Sequence, residues 1–145
     1  MLIGEYSHNL DSKGRLIIPS KFREILGDDF VITRGLDHCL SLYPKEQWEK
    51  FSKNLGDLPF INSNARNMVR FITSGSSSNG YDKQGRVLIP GNLQKHASLK
   101  KEVILVGVLN RVEIWDKELW DNNNAEIESN MDDIARQMEE LGLSI

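Results

Sequence analysis

Arg15 and Arg86 each stand one residue after a glycine and four after an aspartate, and those residue types at that spacing describe a tight turn carrying a guanidinium. Asp11 and Asp82 offer side-chain acceptors to nearby backbone N–H groups, while Gly14 and Gly85 can take the positive φ that such a turn needs. A planar guanidinium on a turn has two uses. It matches guanine O6 and N7 in a major groove, with Lys13 and Lys83 beside it suited to phosphates. Alternatively it pairs with its own aspartate, Asp11 with Arg15 and Asp82 with Arg86, and simply holds the loop. Spacing alone leaves both uses open.

The elements that must position these turns are also written twice. Asp11-Ser12-Lys13-Gly14-Arg15-Leu16-Ile17-Ile18-Pro19 returns 71 positions later as Asp82-Lys83-Gln84-Gly85-Arg86-Val87-Leu88-Ile89-Pro90. After one inserted residue the offset becomes 72: Val31-Ile32 matches Val103-Ile104, Gly35 matches Gly107, Leu42-Tyr43 matches Ile114-Trp115, and Lys45 to Trp48 matches Lys117 to Trp120. Such a duplication makes each half one structural unit. Units of this size are marginal alone, so the halves are expected to pack on each other as a pseudo-dimer.

Within the first unit, residues 4–10 read as a strand, and Leu16-Ile17-Ile18 as a short buried strand stopped by Pro19. Ser20 is placed to cap a helix with Phe22, Ile25 and Leu26 inward and Gly27 past its end. Strands follow at residues 30–33 and 39–43, and Pro44 opens a helix that turns Trp48 and Phe51 toward the core. Residues 54–62 form a loop and 63–73 a helix with Met68, Val69 and Ile72 inward. Residues 74–80 have linker composition, but they occupy the place of residues 4–9 in the repeat, which predicts a weak polar strand. The second unit repeats the order with strands at 87–89, 103–106 and 112–115 and a helix at 92–96. A long helix from Lys117 carries Ile127, Met131, Ile134, Met138 and Leu141, a stripe wide enough to bury against another surface. The expected division is a first repeat at 5–47, a helical connection at 48–75, a second repeat at 76–119 and a C-terminal helix at 120–145.

The net charge of −3 conceals a segregation. From His8 to Arg23 four cations face one carboxylate, and from Asp82 to Lys101 five face one, whereas from Asp116 onward nine carboxylates face two cations. Binding responds to the field within about 8 Å at physiological salt, so a motif-bearing basic surface can attract an anionic polymer despite the overall sign. No apolar run is long enough to span a bilayer and no signal segment opens the chain, from which a soluble cytoplasmic protein is expected. The single cysteine, Cys39, excludes an internal disulfide and reads as a small buried apolar residue.

Catalytic chemistry has little to work with. His8, His38 and His96 lack metal-ligand spacing, no phosphate-binding glycine loop or nucleophile elbow is present, and the carboxylates gather on the C-terminal helix as a solvated face. No enzyme, cofactor or metal is expected.

The doubled Asp-x-x-Gly-Arg with three apolar residues and Pro, closed by Leu42-Tyr43-Pro44 and Ile114-Trp115-Asp116, resembles the MraZ family of bacterial transcriptional regulators over nearly the whole chain. That family is similar to the AbrB and SpoVT regulators. The resemblance implies an α+β fold in which two AbrB-like βαββ repeats form a pseudo-dimeric swapped-hairpin β-barrel, with a helix after each repeat. It implies binding to promoter direct repeats of the division and cell-wall gene cluster through Asp-x-x-x-Arg loops, which fall on Asp11 and Arg15 and on Asp82 and Arg86. It also implies nucleoid association and closed ring homo-oligomers, often of eight subunits. The strand before the second motif departs from the pattern, reading Ser76-Ser77-Ser78-Asn79-Gly80-Tyr81. The competing reading is a protein-interaction module of the antitoxin or scaffold type on the same barrel, because such folds serve both ends. Against it, antitoxins of this kind carry a disordered tail where this chain has sustained helical periodicity.

Overall fold

A computed structural model describes residues 1–144. In chain order the elements are β1 (Leu2–Asn9), β2 (Arg15–Ile17), α1 (Ser20–Leu26), β3 (Phe30–Arg34), β4 (Leu40–Pro44), α2 (Lys45–Gly56), α3 (Ser63–Ser74), β5 (Ser77–Asn79), β6 (Arg86–Leu88), α4 (Gly91–His96), β7 (Glu102–Leu109), β8 (Val112–Asp116) and α5 (Lys117–Glu140). None of these helices is long and apolar enough to cross a membrane.

The two repeats interleave through their strands. A six-stranded sheet runs β1-β7-β8-β4-β3-β5, so the first strand of the first repeat pairs only with the second repeat, and the first strand of the second pairs only with the first. A separate two-stranded ribbon joins β2 to β6. Leu16, Ile18, Val87 and Ile89 from that ribbon enter the same buried cluster as Phe22, Phe30, Ile32, Leu42, Leu105 and Ile114. One core therefore serves both halves, and neither half could close it alone.

The α+β class and the doubled unit hold, and among the described residues the strands do not close into the expected barrel. The large sheet has two edges, β1 and β5, and the ribbon lies against it through apolar side chains rather than through ladder hydrogen bonds. The repeats also diverge where closure would need them equal. β1 has eight residues along β7, but β5 has only three along β3. Helix α3 occupies the remaining length of that edge: Thr33 Oγ1 donates to the Ile72 carbonyl at 2.8 Å, and Arg34 Nη1 donates to the Phe71 carbonyl at 2.7 Å. Cationic Arg34 thus satisfies one carbonyl at the negative end of α3.

Smaller differences have local causes. Pro19, not Ser20, is the cap residue of α1, because its carbonyl already accepts from Phe22 and Arg23 N–H at 2.9 and 3.0 Å. Pro44 likewise ends β4 and precedes α2 instead of standing inside it. Trp48 and Phe51 do turn inward, onto the Tyr43 ring at 5.8 and 5.2 Å. Residues 77–79 form the weak strand that their place in the repeat predicts, against their composition. Cys39 is fully buried, its thiol donating to the Leu36 carbonyl at 3.0 Å, and burial pushes that thiol far above its ordinary pKa, which makes it inert.

The apolar stripe of α5 is not buried within the chain. No residue of this helix is fully buried, and Met131 and Leu141 are exposed. Its first turn is nonetheless firmly anchored. Asp116, at the position of Pro44, is buried and caps the helix, accepting from Leu119 N–H at 3.4 Å, Lys100 N–H at 3.2 Å and the Lys100 ammonium at 2.8 Å. Burial is the largest influence on its carboxyl and would raise its pKa, but the bonds from Lys100 and Leu119 together outweigh it and hold the group ionised below the usual range.

Two outcomes follow from this packing. A fragment of residues 1–71 leaves β1 without β7 and β2 without β6, and its thermal melt, followed by circular dichroism, should show no cooperative transition. Asp116→Ala should destabilise the full chain by about 1 kcal/mol at neutral pH through the lost cap. Because the folded pKa is depressed below the ordinary 3.8, the stabilisation is present above that value and disappears as pH falls through the folded one, so the gap between variant and wild type should narrow in acid titrations.

Candidate nucleic-acid interface

The two turns are copies of one another at the level of single hydrogen bonds. In the first, Asp11 Oδ1 accepts from Lys13 N–H at 2.9 Å and Arg15 N–H at 2.8 Å, and Oδ2 accepts from Arg15 Nε at 2.7 Å. In the second, Asp82 Oδ1 accepts from Gln84 and Arg86 N–H, both at 2.9 Å, and Oδ2 accepts from Arg86 Nε at 2.7 Å. Gly14 and Gly85 carry φ of +78° and +76°, the left-handed conformation that lets the chain reverse here. Each aspartate carboxyl is held below its ordinary pKa. The backbone N–H of the following arginine is the largest influence; partial desolvation opposes it, and the arginine side chain and a second turn N–H add to it.

This geometry reconciles the two uses that spacing left open. Among the described residues, the only hydrogen bond of either guanidinium uses Nε, so the Nη edge, the one that forms the fork, makes no hydrogen bond and can meet another acceptor. The aspartate clamp aims the arginine without consuming it.

Pairing of β2 with β6 then brings both turns into one surface. Arg15 stands opposite Leu88, Leu16 opposite Val87, and Ile17 opposite Arg86. Leu16 and Val87 point into the core, so Arg15, Ile17, Arg86 and Leu88 share the outer face. The ladder is extended into the turns themselves, Ile18 N–H donating to the Gly85 carbonyl at 3.1 Å and Ile89 N–H to the Gly14 carbonyl at 2.8 Å. Arg86 Nη1 lies 3.9 Å from Asp11 of the other turn, a direct electrostatic link between the repeats.

Two residues that sequence reasoning missed support the turns from behind. Arg23 of α1 donates to the Ile18 carbonyl at 2.6 Å while lying against Gly85, and Gln94 of α4 donates to the Ile89 carbonyl at 2.7 Å while lying against Gly14. Each helix thus props the turn of the opposite repeat. A signal was available: the two positions are equivalent at the 71-residue offset, and both carry a long polar side chain on a helix next to the motif.

The lysines divide less symmetrically. Lys13 and Lys83 are both exposed, but Lys13 aligns with Gln84 and Lys83 with Ser12, so the two turns place their ammonium groups differently. Lys101 borders the first turn, its carbonyl accepting from Leu10 N–H at 2.8 Å. Lys100, counted with the basic segment, is paired with Asp116 at 2.8 Å and Glu118 at 3.7 Å and serves the fold rather than the surface field. Among the described residues, no cluster of His, Cys, Asp and Glu side chains is arranged to hold a metal ion.

A family model described as "MraZ protein, putative antitoxin-like" matches the chain twice, over residues 1–71 and 72–141. Proteins named Transcriptional regulator MraZ are similar over essentially its whole length. That of Clostridium acetobutylicum is 53% identical over 143 residues, covering 99% of this chain and 100% of the relative. That of Halothermothrix orenii is 51% identical over 143 residues with the same coverage, and that of Clostridium tetani is 50% identical over 145 residues, covering 99% and 100%. The chain belongs to the MraZ family.

The close fit behind the turns predicts that Gly85→Ala lowers stability by about 1–2 kcal/mol from the left-handed backbone alone. Its Cβ would also displace Arg23. Lys83→Ala, at an exposed position, should leave the melting temperature unchanged in the same calorimetric comparison.

Proposed function

We propose that this member of the MraZ family is a sequence-specific DNA-binding regulator that reads promoter direct repeats with the outer face of the β2–β6 ribbon. The observation that carries the reading is the pair of aspartate-clamped arginines on one ribbon face, hydrogen-bonded through Nε with no hydrogen bond at Nη. A two-stranded ribbon is narrow enough to enter a major groove about 12 Å wide, where a guanidinium fork meets guanine O6 and N7. Lys13, Lys83 and Lys101 flank that face and suit the phosphates on either side. The names of the relatives support a role in transcription, and the family resemblance supports the division and cell-wall gene cluster as the target, with the nucleoid as the place of action.

A single chain offers one such face, which is little for a promoter array. The reading therefore includes a ring of identical subunits, with eight as the family expectation, whose arms meet successive boxes about one helical turn, ~10 bp, apart. Support comes from the apolar surface that one chain leaves open: the α5 stripe, and Phe60 and Ile61, which are 82% and 91% exposed on the loop between α2 and α3. The antitoxin-like or scaffold alternative would use the same surfaces for a different protein and would leave the ribbon face idle.

Gel shifts with the region upstream of the gene that encodes this chain separate the two. Arg15→Ala and Arg86→Ala should each weaken specific binding by about 1–3 kcal/mol per engaged site with melting temperature retained. Lys13→Ala and Lys83→Ala should lower affinity for all sequences and flatten its salt dependence. Moving one box by half a helical turn should cost the oligomer most of its affinity, and light scattering should give a mass above that of a dimer. Wild-type protein that treats the upstream duplex like random DNA would sink the reading.

A further inference from the structure

We infer that Ile17 and Leu88 are specificity residues that read thymine 5-methyl groups, each about two base steps from the base taken by the arginine of its own strand. The inference rests on the DNA-reading proposal above and names chemistry that the arginines cannot supply. On the outer face of the ribbon the four side chains form a checkerboard: Arg15 sits across from Leu88 and Arg86 sits across from Ile17. The two aliphatic members are 42% and 59% exposed, although they are flanked on both strands by fully buried neighbours. An isoleucine and a leucine set outward at equivalent places in both repeats have no role in the core, which is filled from the opposite face by Leu16 and Val87. They belong to whatever the arginines touch.

The spacing suits a duplex. Residues i and i+2 of a strand stand about 6.7 Å apart, close to twice the ~3.4 Å rise between successive bases. An arginine on guanine therefore carries the aliphatic tip of its own strand toward a base about two steps away. In the major groove the one apolar feature that a base edge presents is the thymine methyl, and an aliphatic side chain gains by excluding water from it. The surrounding Lys13, Lys83, Arg15 and Arg86 favour a polyanion over an apolar protein face as the occupant.

The test replaces thymine by deoxyuridine, which removes only the 5-methyl group, in the part of the upstream duplex that the full-length protein protects from cleavage. Replacement outside that region serves as the control. Wild-type binding should weaken about fourfold for each methyl contacted. The Ile17→Ala and Leu88→Ala variants should lose a similar factor on the thymine duplex and lose nothing further on the uracil duplex. Both should keep the wild-type melting temperature and oligomeric mass. Specific wild-type binding that ignores the replacement would overturn this inference and leave the DNA reading standing. So would variants whose losses are equal on the two duplexes, or whose oligomeric mass falls, since the face would then be a protein contact. No specific binding by the wild type at all would overturn both.

Discussion

Leu16 and Val87 face each other across the β2–β6 ladder with no solvent access, one from each repeat. Most of the structure's functional geometry depends on that contact. Side chains alternate along a strand, so sinking this pair into the shared core obliges the residues on either side, Arg15 and Ile17 on one strand and Arg86 and Leu88 on the other, to stand outward. A slip of one residue in the register would bury the arginines and expose the apolar pair. The hydrophobic effect that joins the repeats is therefore the same force that fixes where their guanidinium groups point.

The turns add direction to that placement. An exposed arginine has many rotamers, and a bound one must give them up. Here the aspartate four residues earlier holds Nε while two backbone–backbone bonds, and two more from turn N–H groups to the same carboxylate, close the loop around it, so that much of the ordering is achieved before any ligand arrives. Arg23 and Gln94 extend the support across the pseudo-symmetry, each bracing the turn of the other half. The result is a rigid platform of two forks whose separation is set by a three-residue ladder rather than by a flexible linker.

Much of this was legible in the sequence because the chain states it twice. The repeat fixed the order of elements, located the weak strand at residues 77–79 that composition would have assigned to a linker, and singled out the aspartate, glycine and arginine of each turn. What stayed hidden depends on contacts between distant residues. Nothing local in Thr33 or Arg34 announces that α3 will occupy their edge of the sheet in place of a longer β5, the departure from exact repetition that accompanies the open sheet. The choice between clamp and free arginine was undecidable from spacing, since it turns on which guanidinium nitrogen the aspartate takes. The α5 stripe shows periodicity without showing what it packs against, and within one chain it packs against little. Lys100 illustrates the limit of counting charges: its partner Asp116 lies 16 residues away and removes it from the basic surface.

The most direct test of the account is a structure of the full-length protein bound to the upstream duplex. The account predicts the outer face of the β2–β6 ribbon in the major groove, with the Nη groups of Arg15 or Arg86 on guanine O6 and N7 while Nε keeps its bond to Asp11 or Asp82. A complex in which those arginines abandon their aspartates for phosphates, or in which the ribbon faces away from the DNA, would contradict it.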